Sequence, residues 1–305
     1  MYSMSWWAAG PMVYAAILIC LIATGCKLAF YAGMPRHLRW DLYPIPHQGP
    51  IGSKYQKQDF HSRKPPIFPR YELMAMLREM VWIQKAFVHN RRLWTGSFPL
   101  HIGIYLCAAW VVLLIVGAWA ISAGQPVSGW TALLQGLTQV TGAAGLSAGL
   151  SGSLYLLRLR LGDQGLRQMS DPVLYAQLGI MILLFGSGLT AWLTVDRSFI
   201  LIREHIGSLL RLRPAVTHPL IAWEMLIFSL FLLVLPFSRM MHYAAKYFLY
   251  HRIMWDDEPI QPGSPLEQNV SSSLHGQVSW SAPHVKRWGN WLEQAAGARE
   301  EGDGK

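Results

Sequence analysis

Two histidines of this chain lie within or at the end of apolar segments, where an imidazole can bind a metal. His101 falls in FPLHIGIY near the start of one segment, and His242 falls in LPFSRMMH at the end of another. Ionisable side chains are costly inside a bilayer and usually serve a function there. A low-spin haem iron takes two axial imidazoles, which must lie at one depth on facing helices. The pair predicts one b-type haem, with an interhelical hydrogen bond as the alternative.

Three further polar residues accompany this pair. Arg239 precedes His242 by one helical turn, where it could bind a haem propionate or anchor the chain at a basic membrane face. Glu224 lies inside the same apolar segment, five turns of a continuous helix before His242. A carboxylate at that depth must be paired, protonated or reached by water. We expect Glu224, with His218, to accept protons from a quinol on the outer side; the alternative is a protonated group bonded to a neighbouring helix.

The elements that must position these residues are apolar helices. Of the 305 residues, 52% are hydrophobic and 14% are charged, and the apolar residues come in blocks. A helix needs about 20 apolar residues to cross the hydrocarbon core of a bilayer. Five stretches reach this length: 10–32, 98–121, 132–157, 173–195 and 219–241. We therefore expect an all-α membrane protein built as a five-transmembrane-helix bundle.

The distribution of charge predicts the orientation of that bundle. Lys and Arg concentrate in 33–97, in 158–171 and after residue 238, whereas the connector 122–131 has none. Basic loops remain on the cytoplasmic side, which predicts an outside N-terminus and a cytoplasmic C-terminus. The net charge of +9 therefore reflects membrane topology and not nucleic-acid binding. Both candidate haem ligands then lie near the cytoplasmic face.

The segments outside the spans predict contact with a partner. We expect a haem b membrane domain over 1–255, containing a cytoplasmic loop at 33–97, and a cytoplasmic tail over 256–305. The prolines of Arg36–Arg70 exclude a regular helix, and its aromatic residues favour an extended path over a partner. Residues 71–93 repeat apolar side chains at three- and four-residue spacing, which predicts a cytoplasmic amphipathic helix at the membrane surface.

The third apolar stretch carries a packing signal. Its sequence TGAAGLSAGLSGS repeats small residues at Gly142, Gly145, Gly149 and Ser153. Small residues at this spacing let two membrane helices approach closely. We therefore expect a tight helix contact here, although the same stripe could leave room for a flat macrocycle.

The two histidine motifs resemble those of a known family. FPLHIGIY around His101 and LPFSRMMH around His242 are similar to motifs of the cytochrome b gamma subunit of respiratory nitrate reductase. RWDLYPIPH and the loop after it more closely resemble the branch found in membrane complexes of sulfate-reducing and related anaerobes. In that branch the cytochrome partners a heterodisulfide-reductase-like iron–sulfur protein. The resemblance covers roughly residues 1–255.

This resemblance implies a respiratory role in the cytoplasmic (inner) membrane of a bacterium or archaeon. Members oxidise menaquinol or another quinol and pass electrons through haem b to a cytoplasmic iron–sulfur subunit. Further membrane or cytochrome c subunits are compatible with such a complex. The three cysteines of this chain show no cluster-binding spacing, so an iron–sulfur partner would have to carry the electrons away. The direction of electron flow is not encoded in the sequence.

The sequence departs from the family pattern at both distal haem ligands. The family places a second histidine ten residues after the first, where this chain has Val111, and another eighteen residues before the last, where it has Glu224. We therefore expect one haem and not two. The alternative function is a haem-free membrane anchor or assembly subunit. A transporter is a weaker third choice, because no broken helices recur in an inverted repeat.

Overall fold

The chain was analysed as a computed structural model that describes residues 4–34, 46, 68–124, 129–215, 217–255, 261–283 and 285–300. Almost all of the Arg36–Arg70 segment, for which we predict an extended path over a partner, lies outside the described residues. The chain divides into two compact units. The first comprises residues 1–27 and 74–241, and the second comprises residues 28–73 and 242–305. Each unit is described separately below.

Five helices are long and apolar enough to cross a membrane, as the sequence predicts. Ten helices lie wholly or partly in the first unit. In chain order they are α1 (Met4–Ala9), α2 (Pro11–Gly33), α3 (Pro69–Val81), α4 (Gln84–His89), α5 (Arg91–Ser122), α6 (Gly129–Gly162), α7 (Gln164–Gln168), α8 (Pro172–Thr194), α9 (Ile200–Leu210) and α10 (Pro219–Val234). The spans are α2, α5, α6, α8 and α10. The protein is an all-α membrane bundle, and no strand forms within the described ranges.

The predicted close helix contact is confirmed between α5 and α6. A Cβ added to Gly103 of α5 would lie 2.3 Å from the backbone nitrogen of Gly149. A Cβ on Gly152 of α6 would lie 2.4 Å from the backbone nitrogen of Leu100. The two backbones therefore touch without intervening side chains. Ser153 is fully buried beside this contact and donates its hydroxyl to the carbonyl of Gly149.

The short helix α9, which the sequence analysis does not predict, lies in the loop between α8 and α10. The buried carboxylate of Asp196 accepts hydrogen bonds from the backbone N–H groups of Ile200 at 2.8 Å and Ile202 at 3.0 Å. Such a double cap satisfies donors that the first turn of a helix leaves unpaired. Phe199 just before the helix takes a left-handed conformation with φ of 56° and is buried.

The fifth span is shorter than predicted. Its α-helix ends at Val234, and two 3-10 turns follow at Leu235–Phe237 and Arg239–Met241. Pro236 explains the break, because proline has no backbone N–H and its ring collides with the preceding turn of an α-helix. A continuous helix from Glu224 to His242, along which one turn is counted from Arg239 and five turns from Glu224, is therefore wrong.

The predicted amphipathic helix over 71–93 is in fact divided. Helix α3 ends at Val81, and Ile83 takes a left-handed conformation with φ of 52° before α4 begins. Asn90 then accepts a hydrogen bond from the backbone of Leu93 and caps α5. The second span therefore starts in the basic sequence at Arg91, earlier than hydropathy predicts.

The second unit holds the remaining helices, α11 (His242–Leu249), α12 (Pro265–Leu274) and α13 (Trp291–Glu300). After α11 the chain makes a π-type turn over Tyr250–Met254. In that turn the His251 ring stacks on Tyr247 and pairs with the carboxylate of Glu72. This pair ties the start of α3 to the end of α11 inside the unit.

Candidate functional site

His101 lies in the third turn of α5 and is half-buried. Its Nδ1 is 2.7 Å from the carbonyl oxygen of Ser97, one turn earlier in the helix. A carbonyl only accepts, so Nδ1 carries the hydrogen and Nε2 carries the lone pair. Haem-binding and metal-binding histidines are commonly fixed in this tautomer by such a bond. The local geometry of His101 therefore fits an axial ligand.

His242 is the first residue of α11 and belongs to the second unit. Within the described residues no group of three or more His, Cys, Asp or Glu side chains could hold a metal ion. That finding does not bear on a haem, which needs only two protein ligands. The pairing of His242 with His101 stays a prediction.

Arg239 lies in the 3-10 turn after the fifth span. Its Nη2 donates to the Asp171 carboxylate at 2.6 Å. The other carboxylate oxygen of Asp171 caps α8 by accepting from the backbone of Leu174. The contact therefore joins the end of the fifth span to the start of α8. A haem propionate as an additional partner of Arg239 stays a prediction.

The first unit encloses an apolar cavity of about 510 Å³. That size lies within the range of small-molecule binding sites in proteins. The cavity is walled by α2, α5, α6, α8, α9 and α10. Its lining residues are mostly apolar; the polar side-chain atoms among them belong to Tyr14, Cys107, Glu224 and the indole nitrogen of Trp110.

Val111 and Glu224 both line this cavity. These are the two positions at which the family pattern would place distal haem ligands. The first is aliphatic and the second is a carboxylic acid, so the arrangement has no histidine pair with which to hold a second haem. The space that they share is instead suited to an apolar molecule with a hydrogen-bonding group.

The carboxyl group of Glu224 is the main polar feature of the cavity. The residue is 5% exposed, and no hydrogen bond or ion pair to it is found in the described part of the chain. Its Oε1 lies where a Cβ on Gly188 would come within 2.9 Å, so glycine at that position leaves room for it. Buried carboxyl groups normally have partners, and an unpartnered one that faces a cavity marks a place for a ligand.

His218 does not line the cavity. It is exposed at the start of α10, where its Nδ1 accepts a hydrogen bond from the backbone of Leu220 at 3.3 Å. Its position supports α10 as a helix cap. The expected cooperation of His218 with Glu224 in proton transfer stays a prediction.

A buried polar cap formed by Asp196, Arg203, His205 and Ser208 covers one end of the cavity region. His205 Nε2 donates to the carbonyl of Ala9 at 2.7 Å, and burial lowers the pKa of this imidazole. Burial also lowers the pKa of the Arg203 guanidinium, whereas Asp196 opposes that change. These residues fix α9 in place, with its apolar side towards the cavity.

Neither α9 nor the buried polar cap is predicted from the sequence as part of the site. One signal was available, since Ile202, Ile206 and Leu209 recur at four- and three-residue spacing and all line the cavity. Their helix is short and lies among four arginines, so hydropathy does not reveal it. Tyr14 and Cys107 are likewise identified only through the packing of the spans.

On α5 the cavity is lined from Ile104 to Ile115, so it begins one turn after His101. Ten residues separate His101 from Val111, which is about 15 Å along an α-helix.

Comparison of the chain with protein-family models, with curated proteins and with solved structures gives no match.

Proposed function

We propose that this protein is the membrane cytochrome b subunit of a respiratory redox complex, which exchanges electrons between menaquinol or another quinone and a cytoplasmic iron–sulfur subunit. The observation that carries the proposal is the cavity shared by Val111 and Glu224, with its unpartnered carboxyl group. A quinol is a flat, largely apolar ring with hydroxyl groups, and the cavity supplies an apolar enclosure and one polar partner.

Glu224 is the residue to which we give the proton chemistry. Its carboxylate accepts a hydrogen bond from a ring hydroxyl and then the proton of that hydroxyl when the quinol is oxidised. A carboxylate within hydrogen-bonding reach of the hydroxyl can act as a general base for this proton. Oxidation of the quinol to a quinone releases two protons and two electrons: Glu224 takes the protons in turn, passing the first towards His218 and the outer side, and the electrons leave one at a time through haem b to the iron–sulfur partner.

His101 and His242 are the residues that would hold haem b. The Ser97 carbonyl fixes the His101 ring with Nε2 as its ligating atom. When bound, haem b supplies a one-electron carrier between the quinone and the partner. Arg239 can place its positive charge near a propionate. One haem is proposed, with no second haem in the cavity.

The partner is proposed to be a heterodisulfide-reductase-like iron–sulfur protein at the His101 end of the bundle, in the cytoplasm of a bacterium or archaeon. An aromatic cluster of Trp82, Phe87, Trp94 and Phe98 supports a contact there. Neighbouring rings in it lie 4.8 to 5.4 Å apart, and Trp82 is 42% exposed. Exposed aromatic residues are enriched both at protein interfaces and at membrane surfaces.

A spectrum of the purified protein tests the haem. A dithionite-reduced b-type band is expected in the native protein and should be lost in both His101→Ala and His242→Ala. The matched control is His89→Ala, an exposed histidine at the end of α4, which should retain it. A pyridine haemochrome assay should give one haem per chain. If native protein contains no haem, the haem-free anchor replaces this proposal.

Quinol-driven reduction of the haem tests Glu224. Glu224→Gln should retain the b-type band but lower the rate of reduction by about 100-fold, the lower end of what a general base contributes. The control is Glu204→Gln on the exposed side of α9, which should leave the rate unchanged. An unchanged rate in Glu224→Gln would contradict the assignment of Glu224 as the proton acceptor.

A further inference from the structure

The cavity is closed over most of its surface but opens on one side. Most lining residues are buried or half-buried. Leu210, where α9 ends, is 53% exposed; within the spans, Ile17 is 41% exposed and Ile115 is 39% exposed. Ala108, two turns before Ile115 on α5, is also an exposed lining residue. Ile17, Ile115 and Ala108 lie within two membrane spans, α2 and α5. The opening between them therefore faces hydrocarbon and not water.

The end of the cavity that α9 covers is closed by hydrogen bonds. The Tyr14 hydroxyl of α2 donates to the carbonyl of Leu209 at 2.7 Å. His205 Nε2 donates to the Ala9 carbonyl at 2.7 Å, and Trp6 Nε1 donates to the Pro214 carbonyl at 2.9 Å. These contacts tie α1 and α2 to α9 and the loop after it. They hold these elements together at that end, where His205 is buried and Tyr14 and Trp6 are half-buried.

We infer that the cavity receives its ligand sideways from the bilayer, through the opening between Ile17 and Ile115. The ligand is a quinol with an isoprenoid tail, whose ring lies at Glu224 and whose tail leaves through the opening into the lipid. The apolar walls and the exposed isoleucines favour a lipid-dissolved molecule over a water-soluble one. The nature of the ligand rests on the proposed function, whereas the opening rests on geometry alone.

Cys107 provides a probe of the opening that needs neither haem nor activity. Its thiol lines the cavity, and the only other cysteines are Cys20 and Cys26. In a Cys20→Ala/Cys26→Ala background, labelling of Cys107 in proteoliposomes reports entry into the cavity. Lipid-permeant N-ethylmaleimide should label it, and a charged sulfonate maleimide should not. Equal labelling by the charged reagent, or no labelling of the native protein, would overturn the lateral opening.

Narrowing the opening should slow this labelling. Ile17→Trp with Ile115→Trp places two large rings in the opening, and we expect labelling to slow by about tenfold or more, the scale of overfilling a closed site. The control variant is Ile19→Trp with Val112→Trp. Both controls lie on the same spans, are similarly exposed and do not line the cavity. If the two pairs label at the same rate, the inference is wrong.

Protection by quinone tests the ligand. A long-tailed menaquinone in the vesicles should protect Cys107 from N-ethylmaleimide, and a saturated hydrocarbon of equal length should not. In the control pair, Ile19→Trp with Val112→Trp, the same protection is expected. Labelling that depends on the opening but is unaffected by quinone would overturn the quinol, and with it the proposed function, while the opening would stand. If quinone protects Cys107 but the isoleucine variants do not slow labelling, the lateral opening is overturned and the quinol stands.

Discussion

The two ends of α5 are stabilised by different chemistry. At the His101 end, aromatic side chains pack on one another and remain partly exposed, and they donate only single hydrogen bonds to nearby backbone. At the other end, the polar cap of α9 is buried, and two of its side chains, Asp196 and His205, are bonded to backbone groups of α9 and α1. The first arrangement leaves a surface available for contact. The second closes the bundle against water beside a cavity.

The glycine contact between α5 and α6 lies between the two ends of α5 and supports both of them. Gly103→Ala should lower the free energy of unfolding by at least about 3 kcal/mol, because the new methyl group collides with backbone and not with a movable side chain. Unfolding in mixed micelles with increasing SDS would measure it. Gly136→Ala is the control, since its Cβ meets nothing within 4 Å, and helix propensity favours it by about 1 kcal/mol. Similar effects in the two variants would show that the helices do not touch through glycine.

The α9 end should depend strongly on Asp196. Asp196→Ala removes both caps of a buried helix start and should cost about 2–3 kcal/mol, more than a typical cap. Amide exchange at Ile200 and Ile202 should accelerate. The matched control is Asp163→Ala, which removes the half-exposed cap of α7 and should cost about 1 kcal/mol. A larger loss in the control would reverse the proposed difference between buried and exposed caps.

The same end should be sensitive to acid through His205. Burial lowers the pKa of this imidazole, so below its ordinary value of about 6.5 the unfolded chain binds more protons than the folded one. The free energy of unfolding should therefore fall below about pH 6.5, by at most about 1.4 kcal/mol per pH unit, and stay constant above it with respect to this group. In His205→Gln the free energy of unfolding should depend less on pH, while the glutamine amide can still donate a hydrogen bond to the Ala9 carbonyl. His275→Gln, an exposed histidine of the second unit, should not change it.

The smallest effect is expected at the aromatic end. Tyr105→Phe removes the hydroxyl that donates to the Met80 carbonyl at 2.8 Å, in an exposed setting. The cost should be about 1 kcal/mol or less, the net contribution of a typical single hydrogen bond. Faster proteolysis between α3 and α5, with an unchanged unfolding midpoint, is the expected observation. A loss as large as that of Asp196→Ala would remove the contrast between the two ends.

Hydropathy predicts the five spans because each must satisfy its own backbone in lipid and therefore forms a long apolar helix. It misses the start of α5 at Arg91, where a cap outside the hydrocarbon begins the helix among charged residues. It also overextends the fifth span, although Pro236 was a visible signal. The short α9 is hidden because its buried polar residues, Arg203 and His205, are covered by tertiary contacts and not by membrane.

The candidate site could be predicted only in part. Spacing relative to His101 and His242 singles out Val111 and Glu224, and both prove to line one cavity. Nothing in the sequence shows that they enclose a space, because that depends on how α2, α8 and α9 pack around them. The unpartnered state of the Glu224 carboxyl is likewise a property of the assembled bundle.

The order of the helices has a consequence for biosynthesis. Helices α5 and α6 are consecutive, so their glycine contact can form while the rest of the chain is still being made. Helix α10 follows the other four spans found in the described residues, and it carries Glu224. The acidic side chain therefore joins walls that earlier helices have already supplied. Because α10 is inserted after these helices, its carboxyl group is not left isolated in lipid. The cavity is therefore completed late in assembly.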